Sequence, residues 1–449
     1  MVKVNNAIDR QETTSSEVPS VSRASELIPE ILSEIFLRVT GRKIILSALY
    51  HSKGPWFLGH VCSHWRNVLK NTPQIWGNIF VDLDDHILPG HHRSRPWINI
   101  VNESMYFIFS TTTALLDLHI QHGAYIGQPE FFVAYTNRLR GLTLENCLLE
   151  TYIWFLNLPK NSFPFLERIV FDVLTEDAPP TPDTSPLQSA PNLHSVTYQS
   201  MGLPGPNYSL LPLQQIMELY VQGVQVSLTI VHEILVSSPS LVICQFLNIK
   251  NGSISVGGGI TMLFLKMLML RTMDELDWNQ LLPSIFAPQL EDLLIASPQV
   301  PLHPTILLLE KSNCPLVRLI LLSPGSHNAH DLREVDYLID QLPACITNLY
   351  IPIPVSGSIF RRMSHGEFPM LKIFQGEVNA EGLELLVELI DSYADGTALR
   401  EQSLTFIEVQ VWGVNSDSVA HYNLRGVDLW KEIKGLKIII QGQGINIVL

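Results

Sequence analysis

The chain has 449 residues, of which 46% are hydrophobic and 16% are charged, and its formal net charge is −14. This length exceeds what one compact core usually holds, so two domains or an extended repeat architecture are expected. The high apolar share excludes a disordered chain. The acidic balance, without any run of Lys or Arg, argues against a nucleic-acid partner.

The five cysteines are scattered and never spaced as Cys-x-x-Cys, which predicts neither a disulfide framework nor a zinc site. We therefore expect no metal and no cofactor. The first twenty residues contain no apolar run typical of a signal peptide, and the longest apolar run, 260–270, is interrupted by Lys266. We expect a cytoplasmic or nuclear protein without a membrane partner.

Residues 1–24 are polar and unperiodic, which predicts a disordered tail. Apolar residues then recur at helical spacing in two stretches, one from Leu27 to Phe36 and one from Leu58 to Leu69. A third short helix is predicted between them, at residues 44–50. Three short helices cannot bury this much apolar surface among themselves, so part of it is expected to form an interface, or to pack on the rest of the chain.

Three blocks in this region, Leu27–Phe36, Leu58–Arg66 and Thr72–Trp76, resemble an F-box, in the form found in the large families of mushroom-forming (basidiomycete) fungi. Ile28 stands where these families usually have a first proline, whereas Pro29 and Glu30 are retained. The resemblance implies a helical module over residues 25–80 that binds the Skp-type adaptor of a cullin-based (SCF-type) ubiquitin ligase. The expected adaptor-binding residues are Leu27, Ile28, Pro29, Glu30, Ile31, Leu32, Ile35, Val61, Cys62, Trp65, Val68 and Leu69.

A repeated apolar template, L-x-x-L-x-L with any apolar residue at L, follows the helical module. Its starts are 23 to 33 residues apart, close to the period of leucine-rich repeats. The template starts at Leu115, Leu139, Leu166, Leu193, Ile216, Leu241, Leu265, Leu290, Leu316, Ile346, Leu371, Leu404 and Ile433.

A proline stands two residues before five of these starts, where about one is expected by chance. These prolines are Pro164, Pro191, Pro239, Pro288 and Pro369. Proline cannot continue a helix, so it suits the passage from a helix into the next strand. Helices are predicted at 230–236, 332–342 and 382–393.

The predicted fold class is therefore α/β, a helical module followed by a leucine-rich-repeat solenoid with a curved parallel sheet and convex helices. The solenoid is expected over residues 113–449, with a connector and cap at 81–112 and a proline-rich loop insertion at 175–191.

Strand side chains alternate in direction, so the residues flanking each central apolar position should point to the concave side. These positions are polar in the early units, for example at Asp117, His119 and Glu145, and become apolar from the sixth to the ninth unit. We expect a protein substrate to bind there, unless the chain's own loops cover this surface. The expected substrate-binding residues are Met267, Met269, Leu294, Ile320 and Leu322.

The sequence contains no phosphate-loop, zinc-protease or nucleophile-elbow motif, so an enzyme is not expected. Three hypotheses remain. The first is the substrate-recognition subunit of an SCF-type ligase. The second is a protein-binding repeat scaffold with no ubiquitin role, and the third is an enzyme with an unrecognised site.

Overall fold

One long sheet with helices packed against it dominates the chain. The computed structural model describes residues 27–41, 43–47, 54–82, 103–110, 113–121, 133, 135–174, 185–199, 208–254, 258–323, 332–355, 357–394, 404–411, 436–442 and 445–448.

Nineteen strands are found in these residues. They are β1 (Ile44–Ser47), β2 (Asn78–Asp82), β3 (Leu116–Gln121), β4 (Leu139–Leu148), β5 (Arg168–Leu174), β6 (Ser195–Gln199), β7 (Glu218–Gln222), β8 (Val226–Ser227), β9 (Ile243–Lys250), β10 (Ile260–Thr261), β11 (Met267–Thr272), β12 (Ile285–Phe286), β13 (Asp292–Ala296), β14 (Arg318–Leu322), β15 (Asn348–Val355), β16 (Ile373–Val378), β17 (Phe406–Val411), β18 (Lys437–Gly442) and β19 (Ile445–Val448).

The main sheet contains 17 of these strands. From β1 to β18 its main strands pair with their sequence neighbours in parallel, while β8 extends the pairing beside β9. Among the described strands, only β18 and β19 pair antiparallel. The two remaining strands, β10 and β12, form a second small parallel sheet. The prediction of a parallel sheet in sequence order, a solenoid-like α/β fold, is confirmed.

Helices connect the strands at irregular intervals. They are α1 (Pro29–Thr40), α2 (Ser63–Lys70), α3 (Pro73–Trp76), α4 (residues 103–110), α5 (Leu149–Leu156), α6 (Leu228–Ser237), α7 (Leu302–Ser312), α8 (Leu332–Asp340), α9 (Ser358–Ser364) and α10 (Ala380–Ala394). The predicted helices at 230–236, 332–342 and 382–393 correspond to α6, α8 and α10. Short 3₁₀ helices are found at Pro55–His60, Thr136–Arg138, Pro186–Ser189, Tyr208–Leu210, Leu213–Gln215, Trp278–Gln280 and Leu282–Ser284.

The apolar template explains the sheet because its three positions are the buried ones. In the unit starting at Leu290, this leucine, Leu293 and Ile295 are each at most 1% exposed. These side chains join those of the helices in one continuous core. The five prolines that precede template starts all lie in turns directly before the strands. The other face of the sheet carries the alternating, part-exposed side chains, and we call it the open face.

The predicted helix at residues 44–50 is wrong where the structure describes it. Residues Ile44–Ser47 form β1, which pairs with β2 from Ile44 opposite Ile79 to Ser47 opposite Asp82. Ile44 and Leu46 are buried while Ile45 is 40% exposed, so the side chains alternate with the period of a strand. The parallel sheet therefore begins within the predicted helical module, well before residue 113.

The template is misplaced in the first and the last unit. Leu115 is 38% exposed, and its neighbour Leu116 takes the buried position. In the last unit, Ile407 lies opposite Ile438, so Ile438 takes the central apolar position that the template assigns to Leu436. Ile433 lies outside the described residues, as do the predicted tail at 1–24 and residues 175–184 of the loop insertion. The connector is described only at 81–82 and 103–110, and the latter residues form α4.

Candidate interaction surfaces

An apolar stripe is exposed along α1. The helix begins after Ile28, which has extended backbone angles, and Pro29 occupies the first turn, where a missing N–H is harmless. Leu32 and Phe36 are fully buried and fix this helix to the core. Ile28, Ile31, Ile35 and Val39 recur at spacings of three and four residues and are 59%, 50%, 37% and 59% exposed. These four residues are called the α1 stripe.

The second helix of the module is held against α1 by specific contacts. His64 Nε2 lies 3.0 Å from the carbonyl oxygen of Leu27, which ties α2 to the entry of α1. The ring of Trp65 meets Phe36 edge to face, with centroids 5.1 Å apart. At the start of α2, the Cys62 sulfur accepts a hydrogen bond from the backbone N–H of Trp65. Val61, between the 3₁₀ helix and α2, is 56% exposed.

The expected adaptor-binding residues fall into two groups. Leu32, Val68 and Leu69 lie in the core of the chain itself, since their exposed fractions are 0%, 6% and 3%. The other nine keep part or most of their surface accessible: Leu27, Ile28, Pro29, Glu30, Ile31, Ile35, Val61, Cys62 and Trp65. The sequence reading missed Val39, although its spacing of four residues from Ile35 was a signal for it.

The first strands of the open face carry polar side chains that pair across neighbouring strands. Asp117 on β3 accepts hydrogen bonds from Arg140 and lies 2.9 Å from a terminal nitrogen of Arg168. The hydrogen bond to Asp117, and then the charge of Asp117, raise the pKa of Arg140. The Nε2 atom of His119 lies 2.6 Å from Oε2 of Glu145. The polar groups in this part of the face therefore stabilise each other.

A row of apolar side chains crosses the middle of the open face. Met269 on β11, Leu294 on β13 and Ile320 on β14 lie directly opposite one another in adjacent strands. Met267, two residues before Met269, and Leu322, two residues after Ile320, lie on the same face. All five residues of the expected substrate site are therefore brought together, and all five are half-buried rather than covered by the described chain. We call Met267, Met269, Leu294, Ile320 and Leu322 the apolar tract.

A small acidic cavity lies on the open face beyond the apolar tract. It has a volume of about 260 Å³, and Tyr350, Gln375, Glu377 and Glu408 are among the residues that line it. The Gln375 amide donates a 2.6 Å hydrogen bond to Glu408. Burial raises the pKa of Tyr350, and the charges of Glu408 and Glu377 raise it further. The sequence reading did not single out these residues, although they occupy open-face positions of the predicted template.

Two larger cavities adjoin the helical module. One, of about 640 Å³, lies between α1, α3 and the starts of β2 and β3, with Arg38 and Asp117 in its lining. The other, of about 520 Å³, is lined by apolar side chains such as Trp56 and Trp76 together with Arg66. The lining of this second cavity also includes the polar residues His60, Glu103 and Ser104.

Strongly shifted ionisable groups lie in the core. Burial raises the pKa of Tyr152 to about 12 and raises that of Cys244 well above its ordinary value. Tyr198, fully buried between Phe171 and Tyr208, shows the same shift for the same main reason. These groups stay neutral and pack. In the described part of the chain, no group of three or more His, Cys, Asp or Glu residues could hold a metal, and no helix is long and apolar enough to cross a membrane.

Comparison with known proteins adds no relative. No protein-family model matches the sequence, and no curated protein matches it significantly. The resemblance of residues 25–80 to an F-box therefore rests on the three sequence blocks themselves.

Proposed function

We propose that this chain is the substrate-recognition subunit of an SCF-type ubiquitin ligase. The N-terminal module would bind the Skp-type adaptor, and the open face of the sheet would bind a protein substrate. The observation that carries the proposal is the exposure of the α1 stripe, because three of its four residues, Ile28, Ile31 and Ile35, stand in the first F-box-like block and are left uncovered by the described chain.

The α1 stripe is too small to hold a partner tightly unless neighbouring apolar residues also contact that partner. Burying each of its four side chains would contribute about 1.5–3 kcal/mol. Association itself costs about 4–15 kcal/mol, so the stripe alone gives at most a weak complex. Val61 and Trp65 supply further apolar surface in the same module. Tight binding therefore requires both helices, as the resemblance implies.

The adaptor contact can be tested with the full chain and a purified fungal Skp-type adaptor. We expect Ile31→Asp to weaken binding by a hundredfold or more, since a central apolar contact carries about 3 kcal/mol and a buried charge adds to the loss. The matched control is Val236→Asp on α6, which is 53% exposed and should leave adaptor binding unchanged. Isothermal titration calorimetry measures both.

A wild-type chain that does not bind the adaptor at micromolar concentration would contradict the proposal. The second candidate, a repeat scaffold without a ubiquitin role, would then remain, because the apolar tract on the open face provides a protein-binding surface independent of the module. A cytoplasmic or nuclear location stays a prediction under either function.

A further inference from the structure

A straight row of side chains connects the apolar tract with the acidic cavity. Met269, Leu294 and Ile320 lie opposite one another, and the same register continues through Tyr350, Gln375 and Glu408 on β15, β16 and β17. The row crosses six adjacent strands and changes from apolar to acidic along its length. One partner segment lying across the strands would contact both ends.

The cavity at the acidic end has the chemistry of a site for a cationic side chain. Tyr350 contributes an aromatic residue to the lining, and aromatic rings attract cations, while Glu377 and Glu408 contribute carboxyl groups that can form charge-assisted hydrogen bonds. The residues that line it in the described chain include neither Lys nor Arg.

The dimensions fit a short extended peptide. Adjacent strands are about 4.8 Å apart, so the three steps from Leu294 to Gln375 span about 14 Å. An extended chain advances about 3.4 Å per residue, which makes this distance about four residues. The cavity volume of about 260 Å³ is large enough for the end of an arginine or lysine side chain.

We propose that the open face binds an extended segment of a partner protein whose apolar residues cover the apolar tract and whose Arg or Lys, about four residues away, enters the cavity at Tyr350, Glu377 and Glu408. This inference rests on the proposed function and specifies its substrate class, a protein with an exposed apolar segment beside a basic residue. The net charge of −14 favours the approach of such a basic partner.

The test uses fluorescein-labelled nonapeptides and the full chain. Each peptide carries Leu-Ile-Leu near one end and Arg four residues from the central Ile, with Ser at the other positions, in both chain directions. Matched peptides replace Arg with citrulline, which keeps the shape without the charge, or with Glu. In at least one chain direction, we expect the Arg peptide to bind about tenfold more tightly than its citrulline counterpart, measured by fluorescence anisotropy.

Two variants separate the cavity from the rest of the face. Glu408→Gln preserves an oxygen that can accept from Gln375 and should abolish the preference for Arg over citrulline. Glu218→Gln is the matched control, because Glu218 also lies on the open face and accepts a 2.9 Å hydrogen bond from Ser195, and it should retain the preference. Met269→Asp should weaken binding of both peptides. Thermal unfolding confirms that each variant is folded.

The outcomes separate this inference from the ligase proposal. Equal affinity for the Arg and citrulline peptides in both directions, or no binding of any peptide, overturns the inference even if the adaptor binds. An Arg preference that depends on Glu408 supports it, and if the adaptor fails to bind, only the ligase role is overturned.

Discussion

The open face differs between its early strands, β3 to β7, and its middle strands, β9, β11, β13 and β14. In the early part, polar side chains at matching positions pair across strands, as Asp117 does with Arg168 and Ser195 with Glu218. In the middle part, Met269, Leu294 and Ile320 form an apolar row between Gln245 on β9 and Tyr350 on β15, although Asp292 and Arg318 of the same strands still pair with each other. Both parts have the same strand pairing and the same buried pattern behind them.

This difference separates what builds the sheet from what the sheet can bind. The buried positions are apolar in both parts, so the covered face stabilises the repeats, while the open face is free to vary. Where polar groups already pair internally, a partner gains little by replacing those bonds. When a partner covers half-buried apolar side chains that have no such pairs, the burial makes the free energy of binding more favourable.

The largest effect on stability is expected from a substitution on the buried face of a middle strand, compared with one on its open face. Leu293→Ala on β13 removes a side chain that is 1% exposed, and should lower the free energy of unfolding by about 2–5 kcal/mol. Leu294→Ala, one residue later on the open face, should lower it by about 1 kcal/mol or less. Urea unfolding followed by circular dichroism measures both variants. Similar losses would mean that the open face is core and that no binding tract exists there.

A smaller effect is expected in the early part, where stability depends on paired charges. Asp117→Ala leaves Arg140 and Arg168 without their shared carboxylate, whose side chain is only 14% exposed. The loss should be about 1–2 kcal/mol, reduced by the partial exposure of both arginines. Raising the salt concentration should shrink the difference from wild type. A neutral result would show that the early network does not stabilise the sheet.

Much of the sheet could be predicted because burial repeats with the template. The starts from Leu139 to Leu404 are all buried; Leu139 is the first residue of its strand, and the others precede strands as expected. Trp76, Ile79 and Val81 fit the same template and so mark β2, but the F-box resemblance places Trp76 in the helical module. For β1 the first template position is Gly41, which is not apolar, so only the alternation of Ile44 and Leu46 marked the strand.

The candidate surfaces were predictable only in part. The alternation of strand side chains gave the apolar tract, because it follows from local geometry alone. The residues of the acidic cavity were also within reach of the sequence, because Tyr350, Gln375 and Glu408 each stand four residues after a template start and lie opposite one another in the sheet. Tyr350 and Glu408 are 58 residues apart along the chain, so only an alignment of the repeats, and no local pattern, brings them side by side. Likewise, spacing cannot tell which side of α1 is covered, so Leu32 was grouped with the exposed Ile31.

A further test concerns solvent-exposed apolar surface and should leave stability almost unchanged. Ile320→Thr in the apolar tract should lower the fluorescence of a hydrophobic dye such as 8-anilinonaphthalene-1-sulfonate bound to the native chain, because it reduces the uncovered apolar area. Thr143→Ser, at the equivalent position of the early part, is the matched control and should not change the signal. Equal dye binding by wild type and the Ile320 variant would contradict an accessible tract.

The smallest effect is expected from the titration of His119 in the early part. Burial lowers the pKa of His119 from its ordinary value of 6.5, and the charge of Lys43 acts in the same direction, while the hydrogen bond to Glu145 opposes them. The unfolded chain therefore takes up this proton at a higher pH than the folded chain does. The stability is fully present above pH 6.5 and declines as the pH falls below that value. His119→Gln keeps a polar contact to Glu145 but cannot titrate, so its melting temperature should fall less than that of wild type between pH 7 and pH 5.5. Parallel pH profiles for the two proteins would show that His119 has the same proton affinity in the folded and unfolded chains.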